Sequence, residues 1–433
     1  MTAAAKRRIL CGLAAAGMVT LASARHTAIG APRAAGDAAA VTPFKINVPE
    51  AEVRDLRERL ARARFADEIP GVGWDYGTNA AYLKSIIAYW RDKYDWRAQE
   101  KRLNQFAQFK TNIDGLDIHF IHQKSPVANA TPLLLLNGWP SSIVEYVKVI
   151  GPLTDPVKFG GRAADAFNVV VPSMPGYGFS DKPKERGYDP ARMAAVWVKL
   201  MARLGYDRYI TQGSDWGVSV ATHLALQDPK HMIALHLNGC PGAPVPPPAN
   251  APRPTTPPPV SSNLGYQEIQ TTRPQALGQG LADSPVGQAA WILDKWYVWT
   301  DQDGDLEKVY SKDDILTNIS IYWFTNSATS SSRLYYESRH AQGRLLPSFF
   351  EGFMPPLSQK VTVPTGCGNF PSQYDRRGNP PNMDPSIGRR SAEGRYNVVY
   401  YAIHPKGGHF AALEQPEAWV KDVRDFNAAR GQK

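Results

Sequence analysis

The segment Gly213-Ser214-Asp215-Trp216-Gly217 places a carboxylate between two glycines at a point where the sequence pattern changes. The apolar run before it is typical of a buried strand, and the run after it, 218–226, is typical of a helix. A sharp turn from strand to helix can expose its central side chain as a nucleophile, and glycines let neighbouring backbone approach. Asp215 is therefore a candidate nucleophile. Two alternatives stay open: Asp215 only caps an ordinary turn, or the off-centre Ser214 is the nucleophile.

Two further segments could complete such a site. Asn137-Gly138-Trp139-Pro140 follows the apolar run 133–136, so the N–H of Trp139 could join that of Trp216 in binding an oxyanion. Gly407-Gly408-His409-Phe410 lies near the C-terminus, after the last apolar strand pattern. A nucleophile followed much later by a histidine is the chain order of α/β-hydrolases. The alternative for His409 is an ordinary loop histidine.

The elements that would position these residues form an α/β pattern. Strands are predicted at 133–136, 167–171, 209–211 and 233–237, and again at 361–363 and 397–402, after a hairpin around Asp114-Gly115. Between the two sets lie ten prolines within 241–259 and a mostly helical stretch, about 263–353. The predicted fold class is α/β: an α/β-hydrolase sheet with a mostly helical inserted cap and an N-terminal helical extension.

The chain start has the features of an export signal. Lys6-Arg7-Arg8 precede a short apolar run and an Ala-Ser-Ala cleavage pattern at 22–24. The predicted localisation is secreted or periplasmic, with no membrane span after the signal is removed. The predicted divisions are 1–24 signal peptide, 25–42 flexible leader, 43–108 N-terminal helical domain, 109–240 first part of the hydrolase core, 241–356 helical cap with a proline-rich opening segment, and 357–433 second part of the core.

Composition narrows the classes of partner. The formal charge of +9 over 433 residues falls to +6 without the signal, which carries three positive charges and no negative ones. The remaining basic residues form no patch, which argues against nucleic-acid binding. His119 and His122 are three apart on a predicted strand and point to opposite faces, so no metal site is predicted. Cys240 and Cys367 could pair if the chain is exported.

Together these segments resemble the microsomal-type epoxide hydrolases that carry an extra N-terminal helical domain. The resemblance covers nearly the whole chain after the signal. It is carried by segments of the N-terminal region, of the hairpin and of the cap: Trp74, Tyr76-Gly77, Tyr82-Leu83-Lys84, Tyr89-Trp90, Tyr94-Asp95-Trp96-Arg97, Gln105-Phe106, Ile118–His122, Asp283–Gly287, Asp314–Asn318 and Tyr322-Trp323.

The resemblance implies a cofactor-free enzyme, without a metal, that opens a small-molecule epoxide to a vicinal diol. It implies that Asp215 forms a covalent ester and that His409 activates the water that cleaves it. Tyr266 and Tyr335 match the two cap tyrosines that donate to the epoxide oxygen, with Tyr336 as a neighbour that could be confused with the second. Trp139, Pro140 and Trp216 are the expected substrate-binding residues.

The sequence departs from the family pattern at two positions. Asn137 stands where the family has His, so we expect altered anchoring of that loop. Gln373 stands where the family has the Glu that orients the histidine, and a neutral amide would not stabilise a charged imidazole. Asp375, two residues on, is the predicted acid. Gln373 as an orienting group and an unidentified carboxylate are the alternatives.

Three other functions stay open at this point. A dehalogenase would use the same Asp nucleophile, with Trp216 binding halide, but would not need the two tyrosines. A non-catalytic ligand-binding protein on a decayed hydrolase fold would explain Gln373. A biosynthetic variant would replace water with an internal hydroxyl. A homodimer is one expected assembly.

Overall fold

The structure is a computed structural model that describes residues 39–245, 262–371 and 385–432. Within these ranges one sheet of nine strands has the order β1-β2-β3-β5-β4-β6-β7-β8-β9. The first four strands in that order pair antiparallel, and every later pair is parallel. The strands are β1 Thr42–Phe44, β2 Gln108–Ile113, β3 Leu116–Gln123, β4 Thr131–Leu136, β5 Phe167–Pro172, β6 Tyr209–Gly213, β7 Met232–Asn238, β8 Val361–Asn369 and β9 Tyr396–Ile403.

The predicted strands and hairpin are confirmed. The β2–β3 turn is made by Asp114 and Gly115, both with positive φ, as a tight hairpin requires. Leu133 to Leu136 and Val169 to Val171 are fully buried, because central parallel strands are covered on both faces. The α/β-hydrolase fold class is thus confirmed, with parallel strands whose carboxyl ends meet at one edge.

Helices cover both faces of the sheet and form the region before β8. They are α1 Glu50–Ala61, α2 Ala80–Asp92, α3 Trp96–Leu103, α4 Ile150–Thr154, α5 Pro190–Arg203, α6 Trp216–Gln227, α7 Gly265–Thr272, α8 Pro274–Asp283, α9 Pro285–Trp299, α10 Lys312–Phe324, α11 Ala328–Arg339, α12 Phe349–Phe353, α13 Pro385–Glu393, α14 Ala411–Glu414 and α15 Pro416–Ala429. The predicted helical stretch after the proline-rich segment corresponds to α7 through α12.

The N-terminal region is less helical than predicted. Between α1 and α2 the chain forms turns, because Gly71, Gly73 and Gly77 adopt positive φ. Residues 42–44 form the edge strand β1, which pairs with β2. Its three residues are too few for a periodic signal, so only the tertiary pairing defines it.

Several predicted features lie outside the described residues: the signal peptide and most of the flexible leader, and residues 246–259 of the proline-rich segment. The ten prolines fall where the predicted sheet is interrupted, so we expect the segment to lie at the mouth of the active site, and this stays a prediction. Among the described residues, no helix combines the length and apolarity needed to cross a bilayer. Cys240 and Cys367 form a disulfide that joins the chain just after β7 to β8.

Candidate active site

Asp215 occupies a strained turn between β6 and α6. Its φ is 51° and its ψ is −124°, a backbone conformation that residues with a side chain rarely adopt. A methyl group at Gly213 would collide with the carbonyl of Gly217, and one at Gly217 would collide with the carbonyl of Leu136. The two glycines are required because the turn packs directly on itself and on β4. The turn therefore exposes Asp215 at the carboxyl edge of the sheet.

The loop after β4 holds one oxygen of that carboxylate. The backbone N–H of Trp139 donates to Oδ1 of Asp215 at 2.8 Å. A methyl group at Gly138 would overlap both this oxygen and the backbone nitrogen of Trp216, so all three atoms crowd around the glycine. The N–H groups predicted to stabilise an oxyanion, those of Trp139 and Trp216, are thus brought beside the carboxylate.

The other oxygen of Asp215 faces His409. Nε2 of His409 lies 3.1 Å from Oδ2, and the two side chains are 27% and 17% exposed. Burial of the imidazole lowers the pKa of His409, but the hydrogen bond and charge of Asp215 outweigh it, and the pKa is raised from 6.5. The described residues offer Nδ1 of His409 no hydrogen-bond partner. Asp375 and Gln373, the predicted orienting groups, lie outside the described residues.

Tyr266 and Tyr335 close the site from the helical region. The Tyr266 ring stacks on Trp139 at 5.2 Å, and Tyr335 meets Trp216 edge-on at 4.7 Å. Their own rings are 5.9 Å apart. Burial raises the pKa of Tyr335 well above 10, so its hydroxyl keeps its proton at neutral pH. The helices α7 and α11 thus bring two phenols to the tryptophans that flank Asp215. Tyr336 instead stacks on His340.

The loop that carries Trp139 is fixed by the helical region above it. The side chain of Asn318 donates to the carbonyl of Pro140 at 2.8 Å, and the hydroxyl of Tyr322 donates to the carbonyl of Ser141 at 2.8 Å. Both donors are on α10, and both are buried. These contacts anchor the loop even though Asn137 stands in place of the family's His. A substrate-binding role for Pro140 stays a prediction.

The loop that carries His409 is fixed by a buried carboxylate that the sequence reading missed. Glu414, on α14, accepts from the backbone N–H of Phe410 at 2.9 Å and from that of Asp301 at 2.9 Å. The N–H of His409 itself donates to the carbonyl of Trp299 at 2.9 Å. Burial raises the pKa of Glu414 to about 7. The end of α9 and the start of α14 therefore set the position of the imidazole.

Glu145 is a second buried carboxylate that the sequence reading missed. It lies on the 3₁₀-helix Ile143–Tyr146, is 2% exposed, and accepts a hydrogen bond from the Ser214 hydroxyl at 2.8 Å. The signal that could have revealed it is a single acid within an apolar run. Ser214 is therefore engaged beside the turn as a donor to this carboxylate.

The two histidines of β3 are separated, as predicted. Nε2 of His119 contacts Gln108 at 2.9 Å, whereas Nε2 of His122 contacts Tyr206 at 2.7 Å. Each ring is bound by its own polar side chain. Burial lowers the pKa of both imidazoles, so both are neutral at pH 7.

The chain matches two family models. Residues 41–146 match the model of the epoxide hydrolase N terminus, and residues 131–269 match that of the α/β-hydrolase fold. A protein of Stigmatella aurantiaca that carries an epoxide hydrolase name is 41% identical, over 89% of this chain and 84% of its own. Epoxide hydrolase 1 of Sus scrofa is 36% identical, over 92% of this chain and 90% of its own.

A solved structure agrees with these matches. The juvenile hormone epoxide hydrolase of the silkworm Bombyx mori superposes with a TM-score of 0.74 at 33% identity, covering 91% of this chain and 95% of the silkworm protein. With relatives above 35% identity over most of their length, the chain belongs to the epoxide hydrolase family.

Proposed function

We propose that this epoxide hydrolase opens a small epoxide to a vicinal diol through a covalent ester on Asp215. The observation that carries the proposal is that the two oxygens of Asp215 are held by different groups. Trp139 N–H holds Oδ1, and His409 Nε2 faces Oδ2. A carboxylate placed between an oxyanion donor and a base is suited first to attack and then to hydrolysis.

In the first step an oxygen of Asp215 attacks an epoxide carbon, and that carbon's bond to the epoxide oxygen breaks. The proton for the released oxygen comes from Tyr266 or Tyr335, whose rings contact the tryptophans on either side of Asp215. Tyr335 still holds its proton when the epoxide binds, because burial raises the pKa of its hydroxyl. The products of this step are an alkyl ester and a tyrosinate.

In the second step His409 takes a proton from water, and the water oxygen attacks the carbonyl carbon of the ester. The N–H groups of Trp139 and Trp216 stabilise the negative oxygen of the tetrahedral intermediate. As the intermediate collapses, the bond to the substrate oxygen breaks, and the imidazolium of His409 gives its proton to that oxygen. The new carboxylic acid returns its proton to the tyrosinate, which restores the enzyme.

The experiment is to trap the ester. His409→Gln removes the base of the second step but leaves Asp215, so incubation with epoxides should add the substrate's mass to a peptide that contains Asp215. The control, Asp215→Asn, should gain no mass. Absence of an adduct across a broad epoxide panel would contradict the proposal and favour a non-catalytic ligand-binding protein.

A dehalogenase is a second candidate, motivated by Trp216 beside the nucleophile. It would also form an ester on Asp215, but it would release halide from haloalkanes. The two cap tyrosines favour the epoxide, because they place protons where an epoxide oxygen leaves. Halide release without epoxide turnover would support the dehalogenase, and a product cyclised through its own hydroxyl would support the biosynthetic variant.

We also propose that the protein is exported and that it forms a homodimer. Export to an oxidising compartment is supported by the basic and apolar start of the chain and by the Cys240–Cys367 disulfide. The residues 241–356 are proposed to act as a cap, since Tyr266 and Tyr335 reach the nucleophile from this stretch. Cell fractionation tests the export, and light scattering of the purified protein tests the expected homodimer.

A further inference from the structure

Glu145 is buried beside the turn that carries the nucleophile. Its carboxylate accepts from Ser214 Oγ at 2.8 Å, and Ser214 precedes Asp215 in the chain. The 3₁₀-helix Ile143–Tyr146 also packs against α14, which begins two residues after His409. Glu145 is only 2% exposed, so its charge acts on both catalytic side chains through protein rather than through water.

Glu145 and His409 each shift the pKa of the other. The charge of Glu145 raises the pKa of His409, and after Asp215 it is the largest such charge. Burial raises the pKa of Glu145 to about 7. The hydrogen bonds from Ser141 and Ser214 and the charge of His409 lower this pKa, and the charge of Asp215 raises it. Other ionisable side chains around Glu145 and His409 are Tyr146, Tyr310, Tyr322, Glu414, and Asp314 with Arg102 and Lys148.

Asp215 loses its negative charge during the reaction, when it becomes an ester. In the resting enzyme Asp215 is the main anion that favours the protonated form of His409. Once Asp215 is an ester, that negative charge is gone, although hydrolysis is the step in which His409 becomes an imidazolium. Esterification also removes the repulsion between Asp215 and Glu145, and this favours the ionised form of Glu145.

We propose that Glu145 is a positioning residue that supplies the negative charge for the His409 imidazolium during ester hydrolysis, when Asp215 can no longer do so. This role rests on the proposed ester mechanism. Gln373 stands in place of the family's acid, so the charge of Glu145 would act together with that of Asp375, the predicted acid. Glu414 is less suited to the role, because both of its oxygens hold the backbone N–H groups of Phe410 and Asp301.

The test separates the two chemical steps in Glu145→Gln by rapid quench. We expect ester hydrolysis to slow by about tenfold, the equivalent of one pKa unit, while ester formation changes by less than threefold. Ester should therefore accumulate in the steady state. The pH at which hydrolysis reaches half of its plateau should also fall, because His409 loses a negative neighbour. Lost packing alone would not move that pH.

Tyr146→Phe is the matched control. It lies on the same 3₁₀-helix and loses a hydroxyl that bonds Gln212 and Ser214, but it leaves the carboxylate of Glu145 in place. Both steps should stay within threefold of the unmodified enzyme. Equal slowing of both steps in Glu145→Gln, or unchanged hydrolysis, would overturn the proposal while leaving the ester mechanism intact.

Two other outcomes need separate experiments: Glu145→Gln does not fold, or the unmodified enzyme forms no ester. If Glu145→Gln does not fold, Ser214→Ala removes one donor to Glu145 while the hydroxyl of Ser141 remains. The pKa of this carboxyl should rise, so that hydrolysis is slowed more at pH 6 than at pH 8. An equal effect at both pH values would overturn the proposal. If the unmodified enzyme forms no ester, the ester mechanism fails first and this inference fails with it.

Discussion

Nε2 of His409 lies 3.1 Å from Oδ2 of Asp215, so the base and the nucleophile are in contact before any substrate binds. The carboxylate stabilises the imidazolium in the resting enzyme, and forming the ester abolishes that interaction. The contact therefore couples the protonation of His409 to the covalent state of Asp215.

The first prediction concerns this coupling. Asp215→Asn keeps the shape of the side chain but removes its charge, so the pKa of His409 should fall, because Asp215 is the largest influence that raises it. An NMR titration of the His409 ring protons measures the change. A pKa that rises or stays constant in Asp215→Asn would show that other groups control the imidazole. His231, which is paired with Asp228 at the opposite end of α6 from Asp215, is an internal reference.

The second prediction concerns the close packing around Gly138. Gly138→Ala should abolish turnover, because the added methyl group would overlap Asp215 Oδ1 and the backbone nitrogen of Trp216. The control is Gly280→Ala on α8, where the methyl group meets nothing within 4 Å. This control should keep its activity and gain about 0.5–1 kcal/mol in free energy of unfolding. Full activity in Gly138→Ala would contradict the crowded arrangement.

The third prediction concerns the two tyrosines. Tyr266→Phe and Tyr335→Phe each keep the ring that packs on a tryptophan but lose the hydroxyl that would protonate the epoxide oxygen. Each should slow ester formation by roughly 10²-fold, the lower end of the range for general acids. Tyr336→Phe is the control, since that ring stacks on His340 instead. Single-turnover kinetics measures ester formation, and equal rates in all three variants would exclude the tyrosines as proton donors.

The fourth prediction concerns stability and pH. Burial raises the pKa of Glu145 and of Glu414 from 4.5 to about 7. Between those values the folded state binds more protons than the unfolded state, so the free energy of unfolding should fall as pH rises from about 4.5 to 7. The cost is about 3 kcal/mol per group at most.

Glu145→Gln should flatten part of that slope, because the amide does not titrate. Urea denaturation at pH 5 and at pH 7.5 measures the difference. Glu58→Gln, at a side chain that is 62% exposed, should leave the slope unchanged. Identical slopes in the unmodified protein and in Glu145→Gln would show that this carboxyl titrates normally.

The fifth prediction concerns the disulfide. Cys240 and Cys367 are 127 residues apart, so their bond closes a long loop in the unfolded chain. Replacing both by alanine should lower the free energy of unfolding by roughly 4–5 kcal/mol. Denaturation with and without reductant should reproduce the difference in the unmodified protein. Insensitivity to reductant would contradict a bond in the purified enzyme.

Much of the fold could be predicted because its signals are local. The run 133–136 is apolar at every position and 167–171 at every position but Asn168, and the hairpin at Asp114-Gly115 has a specific turn chemistry. The strand β1 could not be predicted, since its few residues are ordered only by pairing with β2. The helix prediction for the N-terminal region was also too long, because it included the turns that form at the glycines between α1 and α2.

The sequence by itself determined the order of the elements, the glycine-bounded turn at Asp215 and the histidine after the last strand, because each depends on residues close together in the chain. Only the tertiary structure decided that Trp139 N–H and His409 hold the two oxygens of Asp215. It also revealed Glu145 and Glu414 beside the catalytic pair. A buried carboxylate acts through distance and dielectric, and these depend on how segments far apart in the chain pack together.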